Sequence, residues 1–249
     1  MSTIYIGVDF HARQQTVCSL KTDEGVVVTH NLKHQDKNEV RAFYRQFSGR
    51  VVVGIEASGY SPWFEQLLED LGHDVFEQTP PWQTDEMIVH FIRIWQVGPA
   101  TAGVDDLSLL EPINRMLAED ARTTPSPQYV ASVMQLQQIA RRVAGFWRDI
   151  DVVVTPTLAL PPVPVGWTWD GADGDPYRAF ASQTLFTPFT PLVNVTGQPA
   201  MSVPLHWSDD GLPIGVQFIG RPFGEATLIR LAAQLEHARP WAGRRPPVS

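Results

Sequence analysis

Two acidic residues stand where a strand would end. Residues 4–8 of the 249-residue chain alternate apolar side chains and stop at Asp9, and residues 51–55 form a continuous apolar run that stops at Glu56. If those strands are neighbours, two carboxylates meet at one sheet edge. Such a pair can hold Mg²⁺, a hard cation that prefers oxygen ligands, and two such ions can clamp the attacking and leaving oxygens of a phosphodiester. From spacing alone, two simply solvated strand ends are the better reading of the pair. Other reactive side chains are scattered. Ser182, Ser202 and Ser208 are isolated and lack a glycine-rich loop, so they read as structural. None of the seven histidines pairs with a cysteine or another histidine at ligand spacing. His90, on a predicted helix among apolar neighbours, reads as an ordinary boundary histidine.

The elements that must position these groups follow from periodicity. Residues 4–8, 15–20 and 26–30 alternate as strands, with the turn Thr22-Asp23-Glu24-Gly25 between the last two, which predicts an antiparallel meander. Residues 38–47 carry Val40, Phe43, Tyr44 and Phe47 at helical spacing. Residues 51–55 are a strand buried on both faces. Ser61-Pro62 opens a helix that stops at Gly72, with Ser61 placed to cap it. Beyond that point residues 74–79 read as a strand, and 84–95 as a helix through Met87, Ile88, Phe91 and Trp95. Residues 127–146 form a long helix with Val130, Val133, Met134, Gln137 and Arg141 on one face. Residues 151–160 read as a buried strand broken by Pro156. Residues 201–204 and 214–219 are neighbouring strands joined by Gly211-Leu212-Pro213, and 226–236 is an amphipathic closing helix with Leu228, Leu231, Ala232 and Leu235 inward. Strand–helix alternation throughout predicts an α/β fold.

Composition bounds the function. Net charge is −8, so the chain as a whole is not built to coat nucleic acid or an anionic membrane. A single cysteine, Cys18, suits a reducing compartment. The opening residues lack the charged and apolar regions of a signal peptide, and no stretch offers the roughly 18 apolar residues of a membrane helix. A cytoplasmic protein without membrane partners is expected. Composition also breaks near residue 73: Lys21, Lys33 and Lys37 are the only lysines, and Pro62 is the only proline before that point while twenty follow it. The break marks a boundary between residues 1–72 and 73–249.

Two resemblances bear on the halves. The stretch IGVDFHARQQTV, followed by VVVGIEASGYSPWFEQLLEDLGH, resembles the start of the DEDD transposases of bacterial insertion sequences over about residues 4–73. That resemblance implies a partial RNase H-like fragment in which Asp9 and Glu56 are catalytic, metal-binding carboxylates for Mg²⁺. The family's two further aspartates find no match: Asp105 and Asp106 are adjacent, and Ser108 stands where the second is needed. The phrases DVVVTPTLALPPVP, NVTGQPA…GLPIGVQ and the closing RPWAGRRPP resemble the C-terminal portion of the amidase signature family over about residues 67–249.

The second resemblance implies an incomplete amidase-type α/β/α mixed sheet, no cofactor, and a small amide substrate. It implies that residues 186–199 border the acyl pocket, with Phe186, Asn194 and Thr196 as substrate-binding candidates. Members of that family cleave amides with a Ser–cis-Ser–Lys triad and a glycine- and serine-rich loop for the oxyanion. This chain has no such loop and no lysine after Lys37. Three functions follow as expectations: an amidase-family hydrolase inactive by itself, a metal-dependent transposase fragment, or a non-catalytic remnant completed by another chain or prone to self-association.

Overall fold

A computed structural model describes residues 3–55, 61–73, 81–82, 84–148 and 150–245. The chain divides into two compact units, residues 1–79 and 80–249. Glu56 and the strand expected over residues 74–79 lie outside the described residues.

The first unit holds β1 (Thr3–Phe10), β2 (Gln14–Lys21), β3 (Val27–Lys33), α1 (Lys37–Arg45), β4 (Arg50–Ile55) and α2 (Pro62–Asp70). The strands form one sheet in the order β3-β2-β1-β4, with the first three antiparallel and β4 parallel to β1. Alternation decides which face is covered. Ile4, Ile6, Val8 and Phe10 of β1, with Val17 and Leu32, pack against Val40 and Tyr44 of α1 and Phe64, Leu67 and Leu68 of α2. The intervening β1 residues point away, and Tyr5 is half exposed. β4 is therefore not buried on both faces: Val52 is 39% exposed. Asp36 starts α1, its Oδ1 accepting from the Asn38 and Glu39 amides at 2.9 and 3.3 Å. Ser61 does not cap α2 through its side chain; its hydroxyl donates to Glu65 Oε1 at 2.6 Å instead.

The second unit holds α3 (Thr84–Trp95), α4 (Val97–Ala100), α5 (Pro112–Thr123), α6 (Ser126–Phe146), β5 (Val152–Pro156), α7 (Pro176–Phe186), α8 (Pro191–Thr196), β6 (Ala200–Trp207), β7 (Pro213–Gly220) and α9 (Glu225–Ala238). The sheet is antiparallel in the order β5-β7-β6, and the expected pairing of β6 with β7 is present. On one face Ile219 and Val153 meet Met87 of α3, Leu136, Ile139 and Val143 of α6 and Leu192 of α8. On the other, Val203 and Phe218 meet Leu228, Leu231 and Leu235 of α9.

Two readings of this half need correction. β5 ends at Pro156 and Val154 is 57% exposed, so the run to residue 160 is not one buried strand; proline ends the strand because it has no N–H for the ladder. The inward face of α6 is Ser132, Leu136, Ile139 and Val143, while Val130 and Met134 are about half exposed. Ser132 can sit inward because His90 and Arg93 of α3 hydrogen-bond its hydroxyl, at 3.1 and 3.0 Å. Among the described residues, no helix is long and apolar enough to cross a membrane.

A polar seam crosses the second sheet. The Gln217 amide donates to Thr155 Oγ1 at 3.0 Å and to the Phe189 carbonyl at 3.3 Å. Beside it, Thr157 and Ser202 share a hydroxyl–hydroxyl bond of 2.6 Å across Gly215. A Cβ at Gly215 would stand 2.5 Å from Ser202 Oγ and 2.8 Å from Thr157 Oγ1.

Two stability predictions follow from this geometry. Gly215→Ala must push the two hydroxyls apart, and overpacking of this kind costs about 1–3 kcal/mol. Urea unfolding should show that loss, and adding Ser202→Ala, which removes the nearer hydroxyl, should restore part of it.

In the first unit, Gln15 is fully buried and its amide donates to Tyr44 Oη at 3.0 Å. Tyr44→Phe should cost about 1–2 kcal/mol, because it leaves that donor without its acceptor. Burial also raises the Tyr44 phenol well above its ordinary 10.0, with the Gln15 bond opposing in part. A raised folded-state pKa stabilises fully below the unfolded value and is lost as pH rises above it. The gap between wild type and Tyr44→Phe should therefore narrow above pH 10, as read from urea midpoints.

Candidate functional site

The second unit contains an apolar cavity of about 330 Å³. One wall is α3, which presents Ile88, Phe91, Ile92 and Trp95; the facing wall is α7, with Phe180, Gln183, Thr184 and Phe186; Pro191, at the start of α8, closes one end. Helical spacing explains the first wall, since positions i, i+3, i+4 and i+7 share a face. The other face of α3 carries Met87, which is 1% exposed, and Ile94 into the core. The second wall starts from a local signal: the Asp175 carboxylate accepts from the Tyr177 amide at 2.9 Å, and Pro176 occupies the first turn of α7.

Aromatic edges line the space. Trp95 meets Phe91 edge-on at 5.2 Å and Phe180 at 6.5 Å, and Phe186 lies 5.6 Å from Trp167. Trp95 nonetheless remains 52% exposed. A second, more polar hollow of about 490 Å³ shares Thr168 and Gln183 with the first. It adds Glu111, Pro112, Ile113, Gly166 and Trp169. Among the described residues, Glu111 is the one ionisable residue in either lining. A space of this composition can hold an uncharged apolar group; among the described residues its lining brings no nucleophile–base pair together.

The structure places the sequence candidates as follows. Phe186 lines the cavity, and its carbonyl accepts from the Ala159 amide at 3.0 Å, which fixes the end of α7. Asn194 and Thr196 lie on α8 and do not line it; Asn194 is exposed, and the Thr196 hydroxyl is buried without a hydrogen-bond partner. Asp9 belongs to the other unit. Its Oδ2 lies 3.2 Å from His11 Nε2, and both side chains are well exposed. β1 and β4 are neighbours, with Val8 opposite Ile55. Asp106 serves as a cap: its Oδ1 accepts from the Ser108 amide at 3.0 Å, and hydrogen bonds from the Ser108 side chain and backbone hold its carboxyl below the usual range. Among the described residues, no cluster of three or more His, Cys, Asp or Glu could hold a metal ion.

Ser132 and His90 stand at hydrogen-bond distance, but Ser132 is fully buried and Arg93 donates to the same oxygen. The pair is a clasp between α3 and α6, closed to any substrate. Sequence reasoning did not pick out Trp95, Phe180 and Gln183 as pocket residues. The stripe on α3 is legible as helical spacing, which does not say what it faces, and the sequence signal for α7 is the pair Asp175-Pro176 at its start.

Comparison with known proteins agrees with these phrases. The model of the family described as Amidase matches residues 6–229, so the match also takes in most of the first unit. AmiB2 of Mycobacterium tuberculosis, a protein assigned as an amidase, is 35% identical over 189 residues, 74% of this chain and 39% of its own length. AmiC of Mycobacterium leprae, likewise assigned, is 32% identical over 192 residues, 71% of this chain and 39% of its own length. The chain thus spans about two-fifths of the length of these relatives. Among solved structures, 6-aminohexanoate cyclic dimer hydrolase in complex with substrate matches with a TM-score of 0.59 at 24% identity, covering 90% of this chain and 57% of the other. A bacterial aryl acylamidase of the amidase signature family matches with a TM-score of 0.52 at 18% identity, covering 84% and 42%. Those two likenesses speak for the α/β fold alone; together with the family match over residues 6–229, they leave a plain conclusion, that this chain belongs to the amidase family.

Proposed function

We propose that these residues form the scaffold and part of the substrate pocket of an amide hydrolase, and that by themselves they do not turn amides over. Family membership carries the first part. The second rests on chemistry. A serine hydroxyl attacks a carbonyl only when a neighbouring base takes its proton. In the resembled triad that base is a lysine, and no lysine follows Lys37. Losing a single oxyanion donor typically lowers the rate by ~10²–10³; here neither the donor loop nor the base is present. Activity would need a complementing chain that brings both. β5 stands at one end of the described strand order β5-β7-β6, and its outer edge is where such a chain would add.

A second reading concerns the first unit. The parallel pairing of β1 with β4 sets Val8 opposite Ile55, one residue before Asp9 and Glu56 respectively. That register supports a carboxylate pair of the DEDD transposase kind, with Mg²⁺ as its ion. Two of that family's four carboxylates have no counterpart in the sequence, so binding would be weak.

The purified chain should show no amide hydrolysis above background on aliphatic or aromatic amides. Supplying in trans the part of AmiB2 that this chain does not span should raise it. Turnover by the chain alone, abolished by changing a serine within residues 73–249, would overturn the proposal. For the second reading, calorimetric titration should detect weak Mg²⁺ binding that disappears in Asp9→Asn; identical titrations for the two proteins would remove it.

A further inference from the structure

We infer that the cavity between α3 and α7 takes a ligand with a ring-sized apolar body and a hydrogen-bond-donating end, an aromatic amide or amine, and discriminates against carboxylates. This inference rests on the reading of the cavity as a substrate pocket. Size is the first argument. At about 330 Å³ the space lies at the small end of the ~300–1,000 Å³ range of ligand pockets, and an apolar cavity of roughly 150 Å³ already accepts benzene. One ring with a short substituent fits.

Trp95 supplies the second argument. Its neighbours are aromatic and aliphatic, it lines the cavity, and it is 52% exposed. An apolar body seated in the cavity against Trp95 and Phe180, which already touch edge-on, would cover part of that indole and gain contacts of the kind both rings already make. Lining chemistry gives direction. The polar residues Thr168 and Gln183 lie on the side shared with the second hollow, so the ligand's polar end points there.

Charge decides which polar end is accepted. Among the described residues, no lysine, arginine or histidine lines either hollow, and Glu111 is the one carboxylate. An amide N–H or an ammonium finds an acceptor; a carboxylate meets like charge and no donor cation. Glu111 is exposed, so solvent screens the effect and the discrimination should be several-fold rather than absolute.

Calorimetric titration of the full chain at low ionic strength, with four probes, tests this. Phenylacetamide and phenethylamine should bind, phenylacetate should bind several-fold more weakly, and acetamide, which lacks the ring, should give no signal. Trp95→Ala should weaken the two binders roughly tenfold, the size expected for losing a stacked aromatic surface. Glu111→Gln should leave phenylacetamide binding in place and bring phenylacetate up toward it. Phenylacetate binding as tightly as phenethylamine to the wild type would overturn the inference. So would an unchanged affinity in a Trp95→Ala protein whose circular dichroism and melting match the wild type. The two proposals separate cleanly: phenylacetamide binding without turnover after complementation would sink the hydrolase reading alone. Turnover of aliphatic amides with no binding of phenylacetamide would sink this one alone.

Discussion

Strand β7 is the constraint on which the larger unit depends. It pairs with β5 on one edge and β6 on the other, so both neighbours take their register from it. Its alternation also sorts the two cores. Ile219 faces α3, α6 and α8, whereas Phe218, one residue earlier, faces α9. A slip of one residue would exchange these side chains and drive Gln217 into the α9 core, away from Thr155 and the Phe189 carbonyl. Burying that amide without partners costs far more than any edge contact returns. Register is thus held by one polar residue as firmly as by the apolar ones around it.

From that strand the position of the cavity follows step by step. Ile219 and Val153 seat α6 and α8, and α6 seats α3 through Ile139 and Val143 against Met87. Polar clasps then fix the rotation of α3: the hydroxyl of Ser132 receives His90 and Arg93, and Arg142 pairs with Glu86 at 2.6 Å. With one face of α3 committed to the core, Ile88, Phe91 and Trp95 are left facing α7. The cavity is the space that remains when a helix with two apolar faces can bury only one of them.

Much of this architecture was legible in the sequence, and the misses share a cause. Helix α3 falls over the residues its periodicity marks, and the β6–β7 hairpin pairs as its turn residues suggest. Proline acts in both directions. Pro112, Pro176 and Pro191 each sit in the first turn of a helix, where the missing N–H costs nothing. Pro156 does the reverse and ends a strand that hydropathy alone would extend. On α6 a count of apolar residues selected Val130 and Met134, but the buried stripe runs through Ser132, whose burial depends on partners from α3 that no local pattern reveals. The cavity is only partly legible: residues 186–199 read as a pocket border, whereas Trp95 reads only as a member of a helical stripe, because periodicity shows that a residue shares a face and not what that face meets.

The phrases that made the family recognisable are, residue by residue, statements about packing. In NVTGQPA, Gly197 ends α8 with φ near +68°, a conformation that side chains other than glycine strain to adopt, and the Gln198 amide holds the Gly220 carbonyl at 2.8 Å. In GLPIGVQ, Gly215 makes room for the Thr157–Ser202 bond and Gln217 pins β7 to β5. Each of these residues is accounted for by a backbone conformation, a close approach or a hydrogen bond within the scaffold. A scaffold needs many such agreements spread along the chain, whereas amide cleavage needs a few groups held within hydrogen-bond reach of one another. The two requirements are separable, so a chain can satisfy the first throughout while supplying none of the second, and here the family is read from the sheet while the chemistry must be argued from the cavity beside it.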